Sequence, residues 1–255
     1  MSRKKPLISF TFDDGTLDHY THAAPILEKY GYRGIFCITT GYIDGFPKWT
    51  YPCMQERMVK KLLESGHEIA SHSATHPNMR SLWFKSGKKA CISDLKKSYD
   101  AIFRMTGKYP KWFCYPYNRG CPMVSRLARQ IGMEPFNPIG RPNLGGCDWP
   151  QSESDQLKKL SNIIFSGKKK VDLMFHGCLP GEGWNSFFSP TDFEFIVKSI
   201  KKFEDDGLLK VVKYSQSHGV KQHGVIFNLI DISACLFWQF AYRVMCIVKR
   251  RALAV

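Results

Sequence analysis

Short apolar runs alternate with amphipathic stretches along most of the chain. The runs predict seven strands, and the stretches between them carry apolar side chains at intervals of three and four residues, as a helix with one buried face does. Strands that alternate with helices favour a parallel sheet, and periodicity leaves open whether that sheet is open or closed. The predicted strands are Leu7–Phe12, Ile35–Ile38, Glu68–Ala70, Trp112–Tyr115, Met133–Phe136, Val171–Phe175 and Leu208–Val212.

Helix start and stop signals lie between these runs. The stretch 19–30 ends before Gly31, and a later amphipathic stretch ends at Gly107, where glycine is a common helix terminator. Another helix is predicted to begin at Pro122, because proline is favoured at a first helical position. The segment 189–192 (Ser-Pro-Thr-Asp) has the serine, proline and early acid of a capped helix start.

Two adjacent carboxylates, Asp13 and Asp14, end the first predicted strand and precede Gly15. Adjacent side chains at a strand end point in different directions, so one carboxylate can hold a metal while the other accepts a proton. Taken alone, the pentapeptide 11–15 is better explained as a strand that ends in an Asp-Gly turn.

Two histidines four residues apart, His72 and His76, follow the third predicted strand. On a helical turn such a pair shares one face, and with a carboxylate it makes a three-ligand site that keeps an open position. The histidine motif is weak evidence by itself. Its combination with Asp13 and Asp14 after another strand is much rarer by chance.

With both motifs present, the chain from about Leu7 to about Tyr214 resembles the polysaccharide deacetylase family, the carbohydrate esterases with a NodB-homology domain. The resemblance implies a distorted (β/α) barrel with about seven parallel strands. In such barrels the site lies at the carboxyl ends of the strands, which is where the sequence motifs are predicted to lie.

The resemblance also implies a chemistry: a metal-dependent hydrolase that deacetylates an N-acetylated amino sugar in a saccharide or glycoconjugate precursor. Matching positions assign Asp14, His72 and His76 to a divalent metal, with Zn²⁺ first and Co²⁺, Ni²⁺ or Mn²⁺ as alternatives. Asp13 matches the catalytic base. His176 matches the general acid, although standing alone it would be interpreted as a core histidine after a buried strand.

The third family motif departs from its better-known form. An arginine normally orients the base there, and Cys114 stands in its place, before Tyr115-Pro116-Tyr117. The family uses this loop for part of its oxyanion hole, which implicates the backbone N–H at Tyr117. We expect Cys114 to face the core, with nothing nearby to lower its pKa, and what orients Asp13 stays open.

Candidates for the fourth family motif, an acid paired with a tryptophan, are Asp148-Trp149, with Trp184 as a competitor. A loop tryptophan can stack on a sugar ring or pack beneath its own loop. Two other histidines have simpler explanations. His67 is expected to make structural hydrogen bonds at the end opposite the site, and His19 to lie on a solvated helix face.

Two alternatives to deacetylation stay open. A deformylase or other deacylase acting on a lipid-linked sugar would use the same residues. A non-catalytic saccharide-binding barrel is favoured only by the missing arginine of the third motif.

Composition and net charge indicate where the protein is located and which partners it binds. The nine cysteines are scattered without close pairs, and Met1 leads into the first strand without a leader-length apolar segment, so we expect a cytoplasmic protein. The net charge of +15 suits an anionic partner. The chain has no nucleic-acid-reading motif, so no nucleic-acid partner is expected.

The predicted domain organisation is a catalytic barrel over 6–214, a polar linker over 215–224 and a tail over 225–255. The tail is strongly apolar but carries a polar stripe at helical spacing, and Lys249-Arg250-Arg251 lies near its end. This pattern predicts an amphipathic helix. It would either lie on a membrane surface, making the protein peripheral on the inner face, or pack its apolar face on the barrel.

Overall fold

The structure is a computed structural model that describes residues 5–45, 51–136, 141–145, 149–179 and 189–218. Three predictions fall outside these ranges: the candidate sites Asp148 and Trp184, and the amphipathic tail over 225–255.

Within the described residues, seven parallel strands form one sheet in the order β5-β4-β3-β2-β1-β6, and β7 pairs with β1. Residues Leu7 and Ile8 of β1 pair with β7, whereas Thr11 and Phe12 pair with β2 on the same side. This change of partner along one strand distorts the barrel, and the expected fold class is confirmed. The strands are β1 (Leu7–Phe12), β2 (Ile35–Ile38), β3 (Glu68–Ser71), β4 (Trp112–Phe113), β5 (Glu134–Pro135), β6 (Lys170–Phe175) and β7 (Lys210–Val211).

Helices connect consecutive strands, and their boundaries follow the sequence signals. Gly107 ends α3 with a left-handed φ of 71°, and Ser189 and Asp192 form a capping box at the start of α6. The sequence analysis missed α5, whose first turn is capped by Ser152. The helices are α1 (Ala24–Lys29), α2 (Glu56–Glu64), α3 (Met79–Thr106), α4 (Pro122–Ile131), α5 (Glu153–Ile164), α6 (Pro190–Asp205) and α7 (Tyr214–Ser217).

The core consists of layers on both faces of the sheet. Between the sheet and the helices, the ring of Phe12 stacks on Phe36 at 4.7 Å and on Phe175 at 5.3 Å. Inside the barrel, the ring of Tyr214 stacks on Phe136 with ring centroids 4.1 Å apart. Burial of these large rings gives the sheet a rigid base for the loops at its carboxyl edge.

Helix α7 lies across the mouth of the barrel where the strands begin. The Ser215 N–H donates to the carboxylate of Glu68, the first residue of β3, at 3.2 Å. The ammonium of Lys170, the first residue of β6, donates to the carbonyl oxygen of Ser217. Residues 215–217, assigned to a linker by the sequence, therefore belong to a helix of the barrel. None of the helices within the described ranges has the length and hydropathy needed to cross a membrane.

Candidate active site

Within the described residues, the aspartate, histidine and third motifs of the candidate site lie at the carboxyl edge of the sheet. Backbone hydrogen bonds extend the strand ladders past the strand ends: Asp13 N–H donates to Phe175 O at 2.9 Å, and Cys114 N–H donates to Ser71 O at 2.8 Å. His72 N–H likewise donates to Ile38 O at 2.8 Å. The sheet itself therefore sets the backbone positions of these residues.

Asp14, His72 and His76 place one ligand atom each at a common point. Asp14 Oδ1 is 3.3 Å from His72 Nε2 and 3.1 Å from His76 Nε2, and the two Nε2 atoms are 3.3 Å apart. A tetrahedral ion with bonds of about 2.0–2.2 Å separates its ligand atoms by roughly 3.3–3.6 Å. The three residues therefore fit a divalent metal in both donor type and spacing.

The loop after β3, and not a helical turn, brings the two histidines together. Ser73 and His76 adopt left-handed φ angles of 70° and 51°, which reverse the chain between the two imidazoles. The carboxylate of Asp94 on α3 accepts hydrogen bonds from the N–H groups of Ala74 and Thr75 at 3.0 and 3.1 Å. The expectation that the pair shares a helical face was wrong, and a buried carboxylate maintains the loop shape instead.

Outer contacts prepare His72 and Asp14 for a cation. His72 Nδ1 donates to the carbonyl oxygen of Cys114 at 3.0 Å, which leaves the lone pair on Nε2. Burial by itself raises the pKa of Asp14, but contact with the imidazoles of His72 and His76 holds that pKa well below its usual range. Asp14 also has a left-handed φ of 86°, which turns it away from the direction of the preceding Asp13.

Asp13 is held by an arginine that the sequence analysis missed, Arg141. The guanidinium donates to both carboxylate oxygens, with Nη1 2.9 Å from Oδ1 and Nη2 2.7 Å from Oδ2. Both side chains are only 3% exposed. Burial raises the pKa of Asp13, but the charge and hydrogen bonds of Arg141, together with the charges of His72 and His176, outweigh burial and hold that pKa well below its usual range. Asp13 is therefore a charged, oriented carboxylate.

Arg141 comes from a short segment that lies beside β6. Met174 N–H donates to Pro142 O at 2.9 Å, and Leu144 N–H donates to Met174 O at 2.8 Å, so the segment 141–145 extends the ladder next to β6. The guanidinium also donates to Asn118 Oδ1 at 2.6 Å. These contacts hold the Arg141 side chain in place, although Arg141 does not belong to the third motif.

Cys114 stands at the sequence position of the family arginine, and its thiol lies beside Arg141. Its Sγ is 3.1 Å from Arg141 Nη2 and 3.5 Å from Asp13 Oδ1. Burial raises the pKa of this thiol, but a hydrogen bond from Cys37 and the charge of Arg141 bring it down to about 7. Cys114 faces the core, as expected, but the expectation that nothing nearby lowers its pKa was wrong.

His176 follows β6 and is held by the same segment as Asp13. Its Nδ1 lies 3.2 Å from the side-chain oxygen of Asn143. An amide oxygen only accepts, so the hydrogen-bond network assigns a proton to Nδ1, and this contact orients the imidazole. The loop behind it is anchored by buried Asp18, whose carboxylate accepts from the N–H groups of Cys178 and Leu179.

Comparison of the chain with known proteins identifies one family. The family model described as polysaccharide deacetylase matches residues 1–136, which is more than half of the chain. The chain belongs to the polysaccharide deacetylase family. The membership and fold inferred from the sequence motifs are thereby confirmed.

Two relatives and one solved structure illustrate the range of the family. The peptidoglycan-N-acetylglucosamine deacetylase PgdA of Listeria monocytogenes is 26% identical over 143 residues, which cover 56% of this chain and 26% of that protein. The chitooligosaccharide deacetylase of Azorhizobium caulinodans is 23% identical over 188 residues, which cover 71% of this chain and 79% of that one. A family 4 pseudoenzyme from Bacillus anthracis shares the fold, with a TM-score of 0.60, 18% identity and coverage of 84% and 66%. The chain thus spans only about a quarter of the length of the Listeria relative.

The deacetylase motif after β4 divides its residues between the site and the core. Tyr117 is 61% exposed, and its ring lies 4.8 Å from that of His76, so it borders the metal ligands. Pro116 is buried. The hydroxyl of Tyr115 donates to Cys121 O at 3.1 Å, and its ring packs in the core against α4. Tyr115 therefore stabilises the loop from below and does not face a substrate.

Other residues singled out by the sequence lie in the core of this family member. Trp149 is 4% exposed, packs in the main core and has the ammonium of Lys159 over its ring at 5.3 Å, so a sugar cannot stack on it. His67 accepts from Gly34 N–H at 3.0 Å, in agreement with its structural role. His19 is fully buried against Phe12, so its assignment to a solvated face was wrong.

Proposed function

We propose that this protein is a metal-dependent deacetylase of an N-acetylated amino sugar in a saccharide or glycoconjugate precursor. The observation that carries the proposal is the convergence of a fitted metal-ligand triad, an arginine-held carboxylate and a histidine oriented through Nδ1 at one edge of the sheet. The names of the Listeria and Azorhizobium relatives support an N-acetylated amino sugar as the substrate class.

The roles of the residues follow from their contacts. Asp13 accepts a proton from the attacking water at a carboxylate oxygen, because Arg141 keeps that carboxylate charged and oriented. His176, as an imidazolium, delivers its Nε2 proton to the leaving amine, while its Nδ1–H stays hydrogen-bonded to Asn143. The N–H of Tyr117 contributes to the oxyanion hole.

The metal is proposed to be Zn²⁺, on Asp14, His72 and His76, because two imidazoles and one carboxylate are a common catalytic zinc donor set. When bound, it would polarise the acyl carbonyl and lower the pKa of a bound water. Co²⁺, Ni²⁺ and Mn²⁺ are compatible with the same donors.

Removal of the metal is expected to abolish turnover of N-acetylated chitooligosaccharides. The full-length protein would be treated with a chelator and dialysed, and acetate release would be measured before and after addition of Zn²⁺. Recovery of turnover with the ion supports the proposal. Undiminished turnover in the metal-free protein would contradict it.

A non-catalytic barrel is the alternative class, and the pseudoenzyme from Bacillus anthracis shows that the fold occurs in this form. The absent third-motif arginine favoured that class, and the contacts of Arg141 with both carboxylate oxygens of Asp13 support an oriented base without it. We expect Asp13→Asn, which removes the proton acceptor and keeps the volume, to lower acetate release by roughly 10²–10⁴-fold. Equal, slow release by both proteins would favour the saccharide-binding barrel.

Removal of a different acyl group, such as formyl, from a lipid-linked sugar would use the same residues. Assay of N-formyl and N-acetyl forms of one sugar, free and lipid-linked, separates these substrates. A cytoplasmic location, with the protein peripheral on the inner face of the membrane through 225–255, is part of this proposal and rests on the sequence pattern alone.

A further inference from the structure

Large apolar side chains are exposed at the end of the barrel opposite the candidate site. In an alternating fold, helices end and strands begin at the same edge, away from the carboxyl ends of the strands. Three segments at that edge, 103–111, 165–170 and 206–210, are called the basal face here. They hold four of the six large apolar residues that are exposed among the described residues: Phe103 (41%), Tyr109 (49%), Phe165 (41%) and Leu208 (49%).

The basal face is also strongly cationic. The segments 103–111 and 165–170 contain six lysines and arginines and no acid, and all six are exposed. In 206–210, Asp206 and Lys210 offset one another. Because lysine and arginine stems extend several methylenes, their charges can reach an anionic layer while apolar neighbours enter it. The six cations are Arg104, Lys108, Lys111, Lys168, Lys169 and Lys170.

The described chain also ends at this edge. Helix α7 is bonded to the first residues of β3 and β6, and His218 Nε2 lies 3.3 Å from Asp172 Oδ2 in β6. Residues 219–255 therefore start beside the basal face. Their sequence repeats its chemistry, with a long apolar stretch followed by Lys249-Arg250-Arg251.

We propose that the basal face rests on an anionic lipid bilayer. The partner is identified by charge complementarity, by apolar side chains set among cations, and by the position of His218, where the described residues end, at this edge. The six residues of β1 span roughly 20 Å, so the candidate site opens on the aqueous side, away from the lipid headgroups. Self-association and nucleic-acid binding by this face are the competing outcomes.

The test is co-sedimentation of the full chain with vesicles of phosphatidylcholine, with and without phosphatidylglycerol. The double variant Lys168→Glu/Lys169→Glu is expected to lower partition onto anionic vesicles by roughly tenfold or more, since each lysine near such a surface contributes to binding. The matched control is Lys88→Glu/Lys89→Glu, which makes the same charge change on exposed residues of α3.

An apolar pair of variants tests insertion. Phe165→Ser/Leu208→Ser should weaken partition, whereas Leu157→Ser, which alters an exposed leucine within α5, should leave it unchanged. Equal losses in the basal variants and their controls would overturn the proposal. Failure of the full chain to pellet with anionic vesicles would also overturn it, as would pelleting that no basal variant weakens. If the basal variants change only the oligomeric mass in solution, or only the binding of DNA, the face serves self-association or nucleic-acid binding and the proposal is overturned.

Discussion

Replacement of Arg141 by alanine is expected to lower acetate release by roughly 10²–10⁴-fold while the metal remains bound. Without the guanidinium, only the nearby charges of His72 and His176 still oppose burial, which raises the pKa of Asp13, so the base becomes protonated more easily and loses its fixed orientation. Because an ion is then left unpaired in the interior, unfolding free energy should also fall by about 3–5 kcal/mol.

Three measurements separate loss of the base from general damage. Metal content by elemental analysis should match that of the wild type, and guanidinium ions in solution should restore part of the turnover. Arg129→Ala is the matched control, because it removes an arginine from a partly exposed pair with Glu134 that is worth about 1 kcal/mol or less. Full activity of Arg141→Ala would remove the arginine from the mechanism.

A double variant tests whether an arginine at position 114 can replace Arg141 as the partner of Asp13. Cys114 occupies the family position of the arginine, and its Sγ lies 3.1 Å from Arg141 Nη2. The double variant Cys114→Arg/Arg141→Ala should therefore recover turnover relative to Arg141→Ala alone, since the new side chain enters the space that the old one leaves. A double variant no better than the single one would show that the bidentate contact depends on the segment beside β6.

His176→Ala and His72→Ala are expected to fail in different ways. His176→Ala should retain metal and lose roughly 10²–10⁴-fold in turnover, because it removes a proton donor that lies outside the ligand triad. His72→Ala should lose both metal and turnover, because two ligands cannot complete the site. Metal content and acetate release, measured on the same preparations, check both results.

His22→Ala is the control for this pair, because His22 is a partly exposed histidine outside the triad that bonds to its neighbour Thr21. It should change neither quantity. A metal-free His176→Ala protein would mean that His176 is a ligand, and the assignment of base, acid and metal ligands would then have to be redrawn.

The regular elements could be predicted because their signals are local. β1 and β2 were predicted residue for residue, since burial on both faces makes each a short and mostly apolar run. Gly107, Pro122 and Ser189 marked helix boundaries through backbone geometry that depends on a few neighbours. Helix α5 was missed because its buried residues are few and include Gln156, so its apolar periodicity is weak.

The sequence alone determined the alternation of strands and helices, and with it the edge where Asp13, Asp14, His72, His76 and His176 must meet, because side chains that follow parallel strands share one edge of the sheet. The tertiary structure alone decided what orients the base. Arg141 is 128 residues from Asp13 along the chain, and no local pattern distinguishes it from other cations. Only the tertiary fold brings its segment beside β6, where Arg141 is buried next to Asp13. A buried charge must be paired, so the arginine and this carboxylate bind one another.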